Sequence, residues 1–96
     1  MRRSARVDAN QEAVVAALRR AGVLVKSLAP IGDGFPDLLC CVRGRLVLVE
    51  VKDGSKPPSK RRLTPDQEDF HRTWAHSPLF VVETPEQALR AVGAMA

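Results

Sequence analysis

Residues 37–52 read Asp37-Leu38-Leu39-Cys40-Cys41-Val42-Arg43-Gly44-Arg45-Leu46-Val47-Leu48-Val49-Glu50-Val51-Lys52. Two apolar runs flank Arg43-Gly44, a pair suited to a tight turn because glycine accepts positive φ. The spacing predicts a β-hairpin with strands over 37–42 and 45–53. Both runs are apolar on both faces, as in strands that lie mid-sheet with a layer on each side, so they belong at the centre of an α/β sandwich. With Arg43 and Gly44 as the whole loop, Val42 faces Arg45, and following the ladder outward sets Asp37 opposite Glu50 on one face. Lys52 projects from that same face. A three-residue loop would pair Asp37 with Val51 instead and separate the carboxylates, so the register decides the site.

Outward from the hairpin, Asn10 is expected to cap a helix through Ala21, with Val14, Val15, Ala17, Leu18 and Ala21 on one side and Gly22 as its stop. Residues 23–28 read as a strand, and Pro30-Ile31-Gly32-Asp33-Gly34-Phe35-Pro36 as a rigid loop. Gly54 to Arg62, with Pro57-Pro58, reads as an exposed basic loop. Thr64-Pro65-Asp66-Gln67 opens a helix with a capping Thr, Pro at the first position and Gln three residues after the cap. That helix is expected to reach Ala75 and to present Phe70 and Trp74 as a core stripe. Residues 79–83 form a fourth strand, and Thr84-Pro85-Glu86-Gln87 starts a last helix that ends at Gly93. The order is αβββαβα.

Ninety-six residues form one domain, expected to run from 1 to 96 with residues 1–7 as a flexible basic arm carrying Arg2, Arg3 and Arg6. With no second lobe, any active site is an open cleft. No apolar run approaches the length of a membrane span and no secretory signal follows Met1, so a cytoplasmic protein without membrane contact is expected. Cys40 and Cys41 are adjacent on a strand and point to opposite faces, which suits reduced core thiols better than a disulfide. A zinc site built with His71 and His76 is a distant reading, because no Cys-x-x-Cys exists and five helical residues set the two His about 140° apart. The net charge is +4. Between Arg43 and Arg62, seven basic residues (Arg43, Arg45, Lys52, Lys56, Lys60, Arg61, Arg62) stand against Glu50 and Asp53. Such a segment suits a polyanion such as nucleic acid, or else a solvated face.

Two carboxylates converging at a sheet's end are hard oxygen ligands for Mg²⁺ or Mn²⁺, which orient a water and neutralise charge on a scissile phosphate. An ammonium beside them can activate that water or stabilise the transition state. The competing reading is a structural ion pair between Lys52 and an acid. Among other residues, Lys26 and Ser27 lie near the site edge, and His71 shares a helical face with Gln67.

Taken in order, Gly34-Phe35-Pro36-Asp37, Glu50-Val51-Lys52 and Leu63-Thr64-Pro65-Asp66-Gln67 resemble the motifs of the PD-(D/E)XK nuclease superfamily, and within it those of small VRR-NUC domains. The resemblance spans about residues 8–83 and implies a restriction-endonuclease-like αβββαβα sandwich around a mixed four-stranded sheet. It implies Asp37 and Glu50 as metal ligands together with the Val51 carbonyl, and Lys52 as the catalytic lysine. Glu12 matches the family's N-terminal acidic position, against a reading as an exposed helical Glu in a favourable first turn. Gln67 matches a Gln aimed into the site, against a capping role for Thr64. Lys56, Lys60, Arg61, Arg62 and Ser27 are the expected DNA contacts. The implied function is a divalent-metal-dependent endonuclease acting on DNA, selective for branches, junctions or flaps. The alternative is a non-catalytic nucleic-acid-binding module with the same fold. A homodimer is expected because paired cuts in a branched duplex need a two-fold axis, with residues 79–83 or the adjacent helices as its interface.

Overall fold

The computed structural model describes residues 9–95, so the expected basic arm lies outside the described residues. The hairpin forms as expected. Strand β2 (Leu38–Val42) pairs antiparallel with β3 (Arg45–Val51), Val42 opposite Arg45 and Leu38 opposite Val49. Arg43 and Gly44 both adopt positive φ, 50° and 79°, the backbone of a two-residue turn whose twist matches that of the strands. Strand β1 (Leu24–Ser27) adds antiparallel to β2, and β4 (Leu79–Val82) adds parallel to β3, giving a mixed sheet in the order β1-β2-β3-β4.

One face of this sheet buries Leu38, Cys40, Val42, Val47 and Val49 against helices α1 (Ala9–Arg20) and α4 (Pro85–Val92), whose Val14, Leu18, Ala88 and Val92 complete the core. The other face departs from the expected second layer. Helix α3 (Pro65–Thr73) covers only the end carrying Glu50, while Leu24 is 70% exposed and Leu46 59% exposed. Strands that are apolar on both sides are therefore sealed on one side and half open on the other.

Several local expectations shift. Asn10 sits inside α1 rather than ahead of it, and its amide donates to the carbonyls of Lys52 (2.8 Å) and Glu83 (3.2 Å), the residues just after β3 and β4. It anchors the helix to the sheet instead of capping it. The basic loop contains a single helical turn, α2 (Pro58–Arg61). Helix α3 stops at Thr73, so Trp74 is its C-cap and is 45% exposed, and only Phe70 is buried. These two rings stack at 4.8 Å, and Phe35 meets Phe70 at 4.8 Å, making an aromatic cluster apart from the main core. Among the described residues, no helix is long and apolar enough to cross a membrane.

Candidate active site

The residues that matter gather at the end of the hairpin opposite its turn. Asp37 immediately precedes β2, Glu50 lies near the end of β3, and Lys52 follows it. The hairpin register, continued one step past Leu38 and Val49, sets Asp37 across from Glu50. Asp37 Oδ2 accepts a hydrogen bond from the Val51 amide at 2.8 Å, which fixes the carboxylate against the neighbouring strand. Its own carbonyl accepts from Leu28 N, so the backbone there is held on both sides.

Glu50 is 2% exposed, an unusual place for a carboxylate. Its Oε2 accepts from Gln67 Nε2 at 3.0 Å and lies 3.5 Å from Lys52 Nζ. Among the described residues its Oε1 is shut away from solvent without a hydrogen-bond partner. The Glu50 pKa is pushed up to about 7, chiefly by burial and next by the charge of Asp37, with the Lys52 ammonium working in the opposite direction. A buried acid and a half-buried one thus face each other with one ammonium between solvent and Glu50, a charge balance that favours either a retained proton or an added cation.

Gln67 resolves the competition between its two expected uses by serving both. Its backbone N–H donates to Thr64 Oγ1 (3.2 Å), and its Oε1 accepts from Thr64 N (2.9 Å), completing the capping box. The same Oε1 accepts from Lys52 Nζ at 2.9 Å while Nε2 reaches Glu50. One amide side chain has enough donor and acceptor capacity for all of this. Gly34 makes the placement possible: a Cβ there would sit 2.3 Å from the Asp66 carbonyl oxygen, so only glycine lets the loop before Asp37 lie against the first turn of α3.

Other expected site residues stand apart from this cluster. Glu12 and Ser27 line an open groove of about 340 Å³ between α1 and β1, together with Val15, Val25 and Leu38. Glu12 is exposed, and among the described residues no group of three or more His, Cys, Asp or Glu side chains could hold an ion, so Glu12 is not gathered with Asp37 and Glu50. Ser27 Oγ accepts from Ala29 N in a local turn. Lys56, Lys60 and Arg62 are exposed on the segment between β3 and α3. Arg61 is instead paired with Glu83, Nη1 to Oε2 at 3.4 Å, which fastens α2 to the end of β4. Both cysteines are free, and burial pushes the Cys40 thiol up to about 11. Sequence reasoning missed Asn10 as an anchor and Gly34 as a spacer. Gly34 stood inside a recognisable motif, but its contact partner lies in another element; Asn10 carried no signal beyond helix capping.

No family model and no curated protein matches the sequence. A solved structure described as a VRR_NUC domain does match: the two are 30% identical, with a TM-score of 0.64, covering 86% of this chain and 89% of that one. The chain belongs to the VRR-NUC family. That family lies within the PD-(D/E)XK nucleases, which generally use divalent metals. In this VRR-NUC domain the Asp37–Glu50 pair fits such an ion on chemical grounds. Both are hard oxygen donors, and among the described residues Glu50 Oε1 is buried with no hydrogen-bond donor upon it.

A carboxyl whose pKa is raised by folding stabilises the fold below its unfolded pKa and loses that contribution as pH climbs to its folded value. In chelator, the metal-free domain is therefore expected to lose stability relative to Glu50→Gln as pH rises from about 4.5 to about 7. Urea unfolding of both proteins across that range measures it; a difference that is flat, or that favours the parent as pH rises, contradicts the burial argument.

Proposed function

We propose that this VRR-NUC domain is a divalent-metal-dependent endonuclease that hydrolyses phosphodiester bonds in DNA, selective for branched, junction or flap structures. The observation that carries the reading is the buried Glu50 carboxylate, opposed by Asp37, with an oxygen left unpartnered beside a lysine held in place by Gln67. Asp37, Glu50 and the Val51 carbonyl would hold Mg²⁺ or Mn²⁺. When bound, the ion supplies charge neutralisation and a water of lowered pKa.

Lys52 supplies the positive charge that the protein itself brings to the reacting phosphate. Its bond to Gln67 restricts the side chain to the cleft, so the ammonium need not be ordered at the moment of reaction, the condition under which electrostatic stabilisation is most effective. Lys56, Lys60 and Arg62 meet backbone phosphates on the way into the cleft, and Arg61 shapes their segment through Glu83. Glu12 and Ser27 line the groove between α1 and β1, where a strand of the substrate can run.

The working unit we propose is a homodimer, because symmetric incision of a branch needs two sites about a two-fold axis. The half-open sheet face with Leu24, Leu39, Cys41 and Leu46 is a better interface than β4, since its apolar side chains lack the second layer that mid-sheet strands require. The cytoplasm, where thiols such as Cys40 and Cys41 stay reduced, is the compartment in which we place it.

Asp37→Asn and Glu50→Gln should each abolish cutting of flapped and four-way DNA in Mg²⁺ or Mn²⁺ while leaving DNA affinity within a few-fold, because binding rests on the basic segment. Gel assays of cleavage and binding test this; cutting at the parental rate by both variants refutes the site. Replacing Lys56, Lys60 and Arg62 together by Ala should weaken binding to all sequences alike and reduce the slope of log K against log salt by roughly two to three. An unchanged slope would mean that these residues face only solvent.

A further inference from the structure

The two ends of the sheet differ in charge. Asp37, Glu50 and Lys52 lie at one end, and Asn10 pins the start of α1 there through the Lys52 and Glu83 carbonyls. Helix α1 therefore ends at the opposite pole, where Arg19 and Arg20 occupy its last turn. Helix α4 starts just after β4 at the cleft end and also runs to that far pole, with Arg90 in its last turn. The β2–β3 turn lies at the same pole, with Arg43 and Arg45 on either side of Gly44. Two hydrogen bonds tie these pieces together: Arg43 Nη2 donates to the Gly93 carbonyl at 3.2 Å, and Arg19 Nη2 to the Val25 carbonyl at 3.1 Å.

Five arginines thus share the far pole, all of them exposed. The three segments that carry them, residues 17–23, 42–46 and 89–95, contain no Asp or Glu. Helix dipoles account for Arg19, Arg20 and Arg90, because cations are favoured near helix C-termini. They do not account for the two hairpin arginines. Arg43 stands at φ 50°, in a turn position where Asn, Asp or Gly is usual, so an arginine there is a costly choice for the turn alone. The Gly93 carbonyl takes one of its N–H groups, and the exposed guanidinium still presents its fork to solvent. Arg43 and Arg45 also open the basic stretch 43–62, of which the cleft uses only later members.

We propose that this pole is a second nucleic-acid site, which binds the phosphate backbone of a second duplex arm through Arg20, Arg43 and Arg45. The proposal rests on the DNA reading above and adds the place where a second arm is held. Arg45 and Glu50 are five residues apart on β3, about 17 Å at the rise of a strand, close enough for two arms of one branch to reach both. A linear duplex seated in the cleft leaves the pole unused. Guanidinium groups suit the task because their fork matches phosphate oxygens and positions a duplex without reading its sequence.

Binding to the full chain in chelator tests it without any need for cutting. The probe is a linear duplex of about ten base pairs, one helical turn of roughly 34 Å and so about as long as the protein's largest extent of 34 Å. At low salt the parent should bind two such duplexes per chain, and the triple variant Arg20→Gln, Arg43→Asn, Arg45→Gln should bind one. Asn suits the turn position, so the hairpin register is kept. A second variant, Arg20→Lys, Arg43→Lys, Arg45→Lys, should bind two again, because phosphates respond to the charge. With four-way DNA, the Gln and Asn variant should reduce the slope of log K against log salt by roughly two to three and weaken binding at least about tenfold near 0.1 M salt. One duplex per parent chain overturns the second site with no variant having to fold, and so does an unchanged salt slope in the Gln and Asn variant. A parent that binds no DNA overturns the nucleic-acid reading and this site with it. A parent that binds two duplexes but cuts nothing in Mg²⁺ or Mn²⁺ overturns the nuclease reading and upholds the second site.

Discussion

The opposition of Asp37 and Glu50 depends on two backbone conformations at the far end of the hairpin. Arg43 and Gly44 both take positive φ, and that two-residue turn sets every later pair of the β2–β3 ladder. A one-residue slip would turn Glu50 to the core face and bring Val49 to the cleft, exchanging an acid for a hydrocarbon on each side. The turn tolerates this demand because Gly44 has open space around it and Arg43 is tied by its guanidinium to the Gly93 carbonyl. A distant turn thereby determines whether two acids share a site.

Once opposed, the acids create an electrostatic problem that the rest of the cleft addresses. A buried carboxylate beside another is disfavoured, and the structure answers with Lys52 and with Gln67, whose amide bridges the ammonium and Glu50. Gln67 is available only because the capping box pins it, and the capping box lies close only because Gly34 lets the preceding loop touch the Asp66 carbonyl. Asn10 joins the ends of β3 and β4 to α1 from the other side. Glu50 Oε1 is left buried without a hydrogen-bond partner among the described residues, and the proposed cation site rests on that atom.

Much of this was legible in the sequence where the signal is local. The Arg43-Gly44 turn, the Thr64 and Thr84 caps and the Asp37–Glu50 opposition follow from rules that span a few residues or one hairpin. The misreadings share a different cause. Asn10 looks like a cap, yet its partners Lys52 and Glu83 are distant along the chain. Trp74 keeps helical spacing from Phe70 but lies past the helix end. The apolar character of β2 and β3 suggests two covered faces, whereas among the described residues one face is covered and the other only at its Glu50 end. Gln67 was posed as a choice because periodicity does not reveal that one amide faces two neighbours.

On the proposed reading, the pair formed by buried Glu50 and half-buried Asp37 trades a proton for a divalent cation. Calorimetric titration of Mg²⁺ or Mn²⁺ into the metal-free domain at about pH 6.5, in two buffers of different ionisation heat, counts protons released on binding. The account predicts saturable binding with release of more than roughly half a proton per ion, lost in Glu50→Gln. Absence of binding, or binding with no proton released, would contradict it.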